Sequence, residues 1–290
     1  MIFSYFTGNG EDGLHLAFSR DGYQFQALNQ GKALLKPQVG NDKLMRDPCI
    51  IRGGDGRFHL VWTVSWNERG IGYAHSADLL EWSEQRYLPV MEHEPSARNC
   101  WAPEITYDSL EDRYMIYWAS TIPGRFPETS DRGDEGYDHR MYYTTTSDFE
   151  HFTPTALLYD PGFNVIDASI KQVGSRYVMW LKNETRHPPE KNIRLAFGNT
   201  LSGPYGPAGP PIAGIGYWAE GPTAIWLGDQ WIVYFDRYME GKMGAAVSKD
   251  LKTWSDVSHR IRFPEGTRHG SVIRISSEEF EKLNTLLPHN

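Results

Sequence analysis

One short pattern recurs along this chain: a β-like run ends in a small polar residue, an Asp follows, and an aromatic stands four residues beyond that Asp. The copies are LHLAFSRDGYQF with Asp21 and Phe25, IGYAHSADLLEW with Asp78 and Trp82, MYYTTTSDFEHF with Asp148 and Phe152, and MGAAVSKDLKTW with Asp250 and Trp254. A degenerate copy, IRLAFGNTLSGPY, ends at Tyr205. Such repetition confines a chain to architectures that stack one small unit many times, because each unit buries its apolar face only against a neighbour.

Ahead of four copies lies a pair of β-rich runs joined by a tight turn, as in CIIRGGDGRFHLVWTV, where Gly53, Gly54 and Gly56 supply the turn. Each unit therefore reads as four short strands, which is one propeller blade. Inner strands begin at Asp47-Pro48, Ala102-Pro103, Asp167-Ala168, Glu220-Gly221 and His269-Gly270, roughly 50 to 65 residues apart, near the usual repeat length. Five starts predict an all-β, five-bladed β-propeller occupying residues 1–290 as a single domain. The last start has one strand, 269–275, before a polar tail, while the N-terminus offers three strands without an inner one. Strands within residues 1–28 are therefore expected to complete the C-terminal blade and remove two exposed sheet edges. An open sandwich would not explain the shared Asp-to-aromatic spacing. The stretch from Thr121 to Arg140, assigned to a loop of the third blade, is the one large departure from repeat length and is expected to carry function or an interface.

A net charge of -8 disfavours a surface that tracks phosphates, so nucleic acid is not an expected partner. No apolar run reaches the length of a membrane span, and Met1 to Tyr5 lacks the basic and apolar regions of a secretion signal. As given, the chain is expected in the cytoplasm; a leader removed upstream would place it outside the cell or in the periplasm. Cys49 and Cys100 form no CxxC pair and read as small buried hydrophobes. HExxH, P-loop and dinucleotide fingerprints are missing, so those chemistries have no sequence support. The sequence leaves an oligomer open.

If the repeats are equivalent, Asp47, Asp167, Glu220 and His269 converge at one end of the central channel. Carboxylates crowded together raise one another's pKa, an arrangement suited to acid and base catalysis. Glycosidic cleavage needs one protonated acid at the leaving oxygen and one ionised carboxylate on the opposite face of the sugar. Trp101, before an inner strand, is a candidate sugar wall, with Asn99 and Arg98 as adjacent candidates for substrate binding. Arg237, in Phe235-Asp236-Arg237-Tyr238, is a further candidate for sugar hydroxyls. A glycoside phosphorylase would need clustered cations to hold phosphate, and none stands beside the motifs in sequence.

The motifs carry a resemblance over essentially the whole chain. Arg46-Asp47-Pro48, Trp101-Ala102-Pro103-Glu104, Val165-Ile166-Asp167, Glu220-Gly221-Pro222 and Arg268-His269-Gly270-Ser271 together resemble glycoside hydrolase family 43, the five-bladed arabinofuranosidases and xylosidases. Ala168, where the family commonly has Pro, and Cys49 beside the first Asp depart from its pattern. The resemblance implies Asp47 as general base, Glu220 as general acid and Asp167 as the residue that orients Glu220 and keeps its pKa high. It also implies inversion, with the Asp47 and Glu220 carboxyls about 6.5 to 9.5 Å apart. No cofactor is required; a structural calcium at the axis, met by His269 directly or through water, is the one metal the resemblance suggests. The expected partner is an oligosaccharide or plant-type polysaccharide from which a terminal sugar is released, with α-L-arabinofuranoside ahead of β-xyloside and galactofuranoside. A carbohydrate-binding propeller without catalysis is the alternative of a different class.

Overall fold

The computed structural model describes residues 1–286. The chain opens with β1 (Ile2–Tyr5), β2 (His15–Phe18) and β3 (Gln26–Ala27). A first blade follows with β4 (Arg46–Arg52), β5 (Phe58–Thr63), β6 (Ile71–Ser76) and β7 (Arg86–Leu88), and a second with β8 (Trp101–Asp108), β9 (Arg113–Thr121), β10 (His139–Thr146) and β11 (Ala156–Tyr159). The third has β12 (Val165–Val173), β13 (Arg176–Asn183) and β14 (Asn192–Gly198), and the fourth β15 (Glu220–Leu227), β16 (Gln230–Arg237), β17 (Lys242–Ser248) and β18 (Ser255–Asp256). The last strand, β19 (Ser271–Ile273), precedes helix α1 (Ser277–Asn284). Sheets are antiparallel meanders, and the fifth is ordered β19-β1-β2-β3. The protein is thus a five-bladed β-propeller whose final blade joins the two ends of the chain, as the repeats predict.

The repeated Asp is a turn former. In four blades the Ser or Thr hydroxyl meets the Asp two residues on, at Ser19–Asp21, Ser76–Asp78, Thr146–Asp148 and Ser248–Asp250. That carboxylate then accepts two backbone N–H groups, from Leu80 and Glu81 in the case of Asp78. Such side-chain caps offer the backbone an alternative to continuing the strand, and so end it. The third blade, whose copy is degenerate, keeps only a single bridge from Gly198 to Tyr205 in place of an outer strand. Pro204 there has no N–H to give to a ladder.

Between blades the second strands carry the bulk: Trp62, Trp118 and Trp180 on β5, β9 and β13 are fully buried. The N-terminal end is fixed at the axis by hydroxyls. Ser4 Oγ donates to the Pro48 carbonyl at 2.6 Å and lies 2.9 Å from Ser271 Oγ, which accepts the Ile50 N–H at 2.8 Å.

Two expectations need correction. The segment after β19 is no polar tail: Ser276 and Glu279 form a reciprocal capping box for α1, a device worth about 1 kcal/mol. Phe280 stacks on Phe18 at 4.3 Å and Leu283 is buried, so two apolar side chains one turn apart anchor an otherwise charged helix. The stretch from Thr121 to Arg140 runs from the last residue of β9 into the start of β10, in the second blade rather than the third. Counting marker copies from the N-terminus runs one ahead, because the strands that come first belong to the blade that closes last.

Closure is sterically exacting at Gly270, where a Cβ would lie 1.7 Å from the Ser4 carbonyl oxygen. Gly270→Ala is expected to abolish the single cooperative thermal unfolding transition followed by circular dichroism. A variant that melts like the parent would show that the seam does not hold the ring.

Candidate active site

Four inner strands begin with the same irregularity. The register slips between Arg46 and Cys49, Trp101 and Glu104, Ile166 and Ser169, and Glu220 and Thr223. At each slip one residue is left-handed: Asp47 at φ 52°, Ala102 at 47°, Asp167 at 53° and Gly221 at 60°. An extra residue in a strand bends it and re-aims a side chain. A left-handed non-glycine costs of order 1 kcal/mol and persists where its surroundings enforce it. Glycine is needed at 221, since a Cβ there would lie 2.3 Å from the His269 ring. In this frame Asp47 and Asp167 occupy the bulge itself, whereas Glu220 stands one residue earlier, at the position of Arg46, Trp101 and Ile166.

The four axial residues named from sequence do meet. His269 Nδ1 lies 3.3 Å from Asp47 Oδ1, and Thr63 donates to Asp47 Oδ2 at 2.8 Å. Burial works against the charge of Asp47, but the His269 bond and charge, Arg46 and Thr63 outweigh it and hold the carboxyl at about 2. Burial likewise opposes the imidazolium, yet Asp167, Asp47 and Glu220 raise His269 to about 9.

Asp167 is 5% exposed and its Oδ2 accepts the Gly221 N–H at 3.0 Å, which ties it to the strand that carries Glu220. Burial pushes Asp167 well up, with the charges of Glu220 and Asp47 adding to the shift against the pull of His269 and Lys182. Glu220 moves the other way. Burial raises it, but Lys182 Nζ at 3.0 Å from Oε2 and Arg268 Nη2 at 3.2 Å from Oε1 bring it below the usual carboxylate range. A fourth acid, Asp236, pairs with Arg268 at 2.6 Å and is raised to about 6 by burial and then by Glu220. The surroundings thus push the two carboxyls apart, Asp167 upward and Glu220 downward, whereas the sequence reading expects Glu220 to be the one held high.

The remaining candidates fall in different places. Trp101 donates to the Trp66 carbonyl at 2.9 Å, and its ring lies 5.4 Å from Trp66 and 4.6 Å from Tyr137. Tyr137 comes from the insertion and donates to Asn67 of the first blade at 3.0 Å. Arg98 stacks over Tyr137 at 3.8 Å and bonds the Glu135 carbonyl, so it braces the insertion. Asn99 is fully buried, and its amide is consumed by the backbone of Ala119 and Thr121, which leaves nothing for a sugar. Arg237 is taken by Glu240 at 2.9 Å and by the Tyr217 ring at 3.9 Å.

Sequence reasoning missed Lys182, whose one signal is a lysine ending the wholly apolar run YVMWL. It also missed the cations beside the acid: Lys182 and Arg268 are there, each matched by carboxylates. As for calcium, which takes oxygen ligands, the His269 ring is engaged by Asp47 at 3.3 Å, and no group of three or more His, Cys, Asp or Glu arranged to hold a metal ion occurs among the described residues.

The chain belongs to the family described as "Probable glycosyl hydrolase domain", a family-43-related group matched over residues 1–281. It is similar to an α-L-arabinofuranosidase of Bifidobacterium longum subsp. longum, with 24% identity over 184 residues, or 57% of this chain and 17% of that protein. The chain thus spans less than a fifth of that curated relative. Among solved structures it is similar to an α-L-arabinofuranosidase from Lactobacillus brevis, with TM-score 0.57, 18% identity, and 74% of this chain and 72% of that one covered. A Bacillus subtilis arabinanase superposes with TM-score 0.54 at 17% identity over 74% of this chain and 76% of its own. These structural likenesses show the shared fold.

The Asp47–His269 pair carries a pH signature. A raised His269 contributes stability that is fully present below 6.5 and lost as pH rises through about 9. The difference in melting temperature between wild type and His269→Gln should be largest near pH 6 and shrink steadily toward pH 10. A difference that stays constant over that range would mean the ring is uncharged in the folded protein.

Proposed function

We propose that this protein is an inverting, exo-acting glycoside hydrolase that removes a terminal α-L-arabinofuranosyl residue. The observation that carries the reading is the meeting of three carboxylates at one end of the axis in unlike surroundings: Asp47 beside His269 at 3.3 Å, Asp167 buried on the Gly221 N–H at 3.0 Å, and Glu220 between Lys182 at 3.0 Å and Arg268 at 3.2 Å. These surroundings hold Asp47 low and push Asp167 up. Asp47 takes a proton from water as the water oxygen attacks the anomeric carbon. Glu220 gives its proton to the leaving oxygen on the opposite face. Arrival of that oxygen at Oε1 displaces the Arg268 Nη2 contact, weakens the support for ionised Glu220 and draws the shared proton from Asp167. Exchange with solvent then strips Asp47 and recharges the pair.

Exo action is supported by the insertion, which is braced on both flanks: Tyr137 reaches Asn67 on one side, and Asp134 meets Lys191 at 2.7 Å and Arg186 at 3.1 Å on the other. Its interior is organised by Arg140, fully buried and bonded to Asp138, Asp160 and Thr129. A wall so fixed suits a pocket for one sugar. The names of the two arabinofuranosidase relatives favour arabinofuranoside over xyloside or galactofuranoside.

Hydrolysis of aryl arabinofuranosides, xylosides and galactofuranosides, with the product anomer followed by NMR, tests this. Arabinofuranoside should turn over with inversion, and Glu220→Ala should lose roughly 100-fold or more on poor leaving groups. A retained anomer would overturn the mechanism. Sugar binding without turnover would make the protein a carbohydrate-binding propeller.

A further inference from the structure

We propose that Lys182 is a positioning residue for Glu220: it clamps Oε2 permanently, leaves Oε1 as the oxygen that serves the sugar, and has its hold tuned by Glu184. The inference rests on the reading of Glu220 as the acid.

Lys182 is 1% exposed, although it sits in a strand of otherwise apolar residues. A lysine is kept charged in such a place only by partners, and here they come from three segments. Its ammonium lies 3.0 Å from Glu220 Oε2, 2.5 Å from Glu184 Oε2, and 4.7 Å over the Tyr238 ring. Glu184 is itself held at 2.5 Å by Lys191, which continues to Asp134 of the insertion. Charges thus alternate from Glu220 through Lys182, Glu184 and Lys191 to Asp134.

The two cations on Glu220 are unlike. Arg268 is 27% exposed at its side chain and is shared with Asp236, whereas the Lys182 side chain is 2% exposed. Arg268 can yield to an incoming leaving group; Lys182 has no route out and nothing in solvent to yield to. Backbone N–H and hydroxyl donors could have fixed Oε2 equally well, so the positive charge itself is the informative feature. It draws Glu220 toward the ionised form and biases the proton it shares with Asp167.

The groups that face Glu220 are Lys182 from β13, Asp167 from β12, Asp236 from β16, and Arg268 and His269 from the segment before β19. Glu184 and Tyr238 stand behind Lys182. Against this set, two substitutions act with opposite sign. Lys182→Gln removes the cation but keeps a donor, so the alkaline limb of kcat/KM on an aryl glycoside should rise by about one pH unit or more. Glu184→Gln removes both a competitor for Lys182 and a negative charge near Glu220, so the same limb should fall.

A merely structural lysine would lower the rate at every pH and leave both limbs in place, and that result would overturn the proposal. Where Lys182→Gln fails to fold, the direction of the Glu184→Gln shift decides alone. If the wild type cleaves no aryl glycoside, the hydrolase reading fails separately. Carbon-13 NMR titration of Glu220 in the intact protein then decides the role of Lys182: an upward shift in Lys182→Gln supports the clamp, and an unchanged titration refutes it.

Discussion

Acids buried together repel, and this propeller can bring Asp47, Asp167, Glu220 and Asp236 to one end of its axis only because cations are buried with them. His269 neutralises Asp47, Lys182 and Arg268 divide the two oxygens of Glu220, and Arg268 also holds Asp236. Each cation comes from a different strand or loop than the acid it serves, so charge balance fastens blade to blade. Removing His269 or Arg268 leaves Asp47 or Asp236 without its paired cation in a poorly hydrated place, a heavier loss than the net worth of the pair. The axis is therefore one electrostatic unit, in which a change at one acid is felt by the others.

The acids reach that unit through backbone irregularity. A regular strand would alternate its side chains between faces; the slip at each inner-strand start turns one residue toward the channel instead. Asp47 and Asp167 accept a left-handed backbone to do so. Glu220 avoids that conformation by standing one residue earlier, with Gly221 taking the turn and giving its N–H to Asp167. The longer side chain of Glu offsets its position one step back from the bulge.

Much of this was legible in the sequence, and for a definite reason. A repeat period converts sequence distance into position, so Asp47, Asp167, Glu220 and His269 could be placed together without knowing any contact. The marker Asp was equally readable as a repeat signal, although its work is to end strands. What periodicity does not encode is contact between different positions of neighbouring blades. Lys182 on β13 and Glu220 on β15 meet across such a boundary, and the order of proton affinity follows from that meeting. Sequence adjacency likewise does not show that Arg98 and Asn99, which precede Trp101 in the chain, bond to the insertion and to the backbone of β9. The helix α1 was hidden because two apolar side chains in a charged segment suffice when a ready surface awaits them.

The seam that joins the two ends also sets a timetable. Asp47, Asp167 and Glu220 all leave the ribosome before His269, and β1 stays without its inner partner until β19 emerges. A nascent chain therefore carries the acids without the imidazolium that lets Asp47 stay ionised in a buried place. The axial centre is assembled only once the blade that closes the ring has been made, and a chain cut short in that blade has the axial acids without their charge balance.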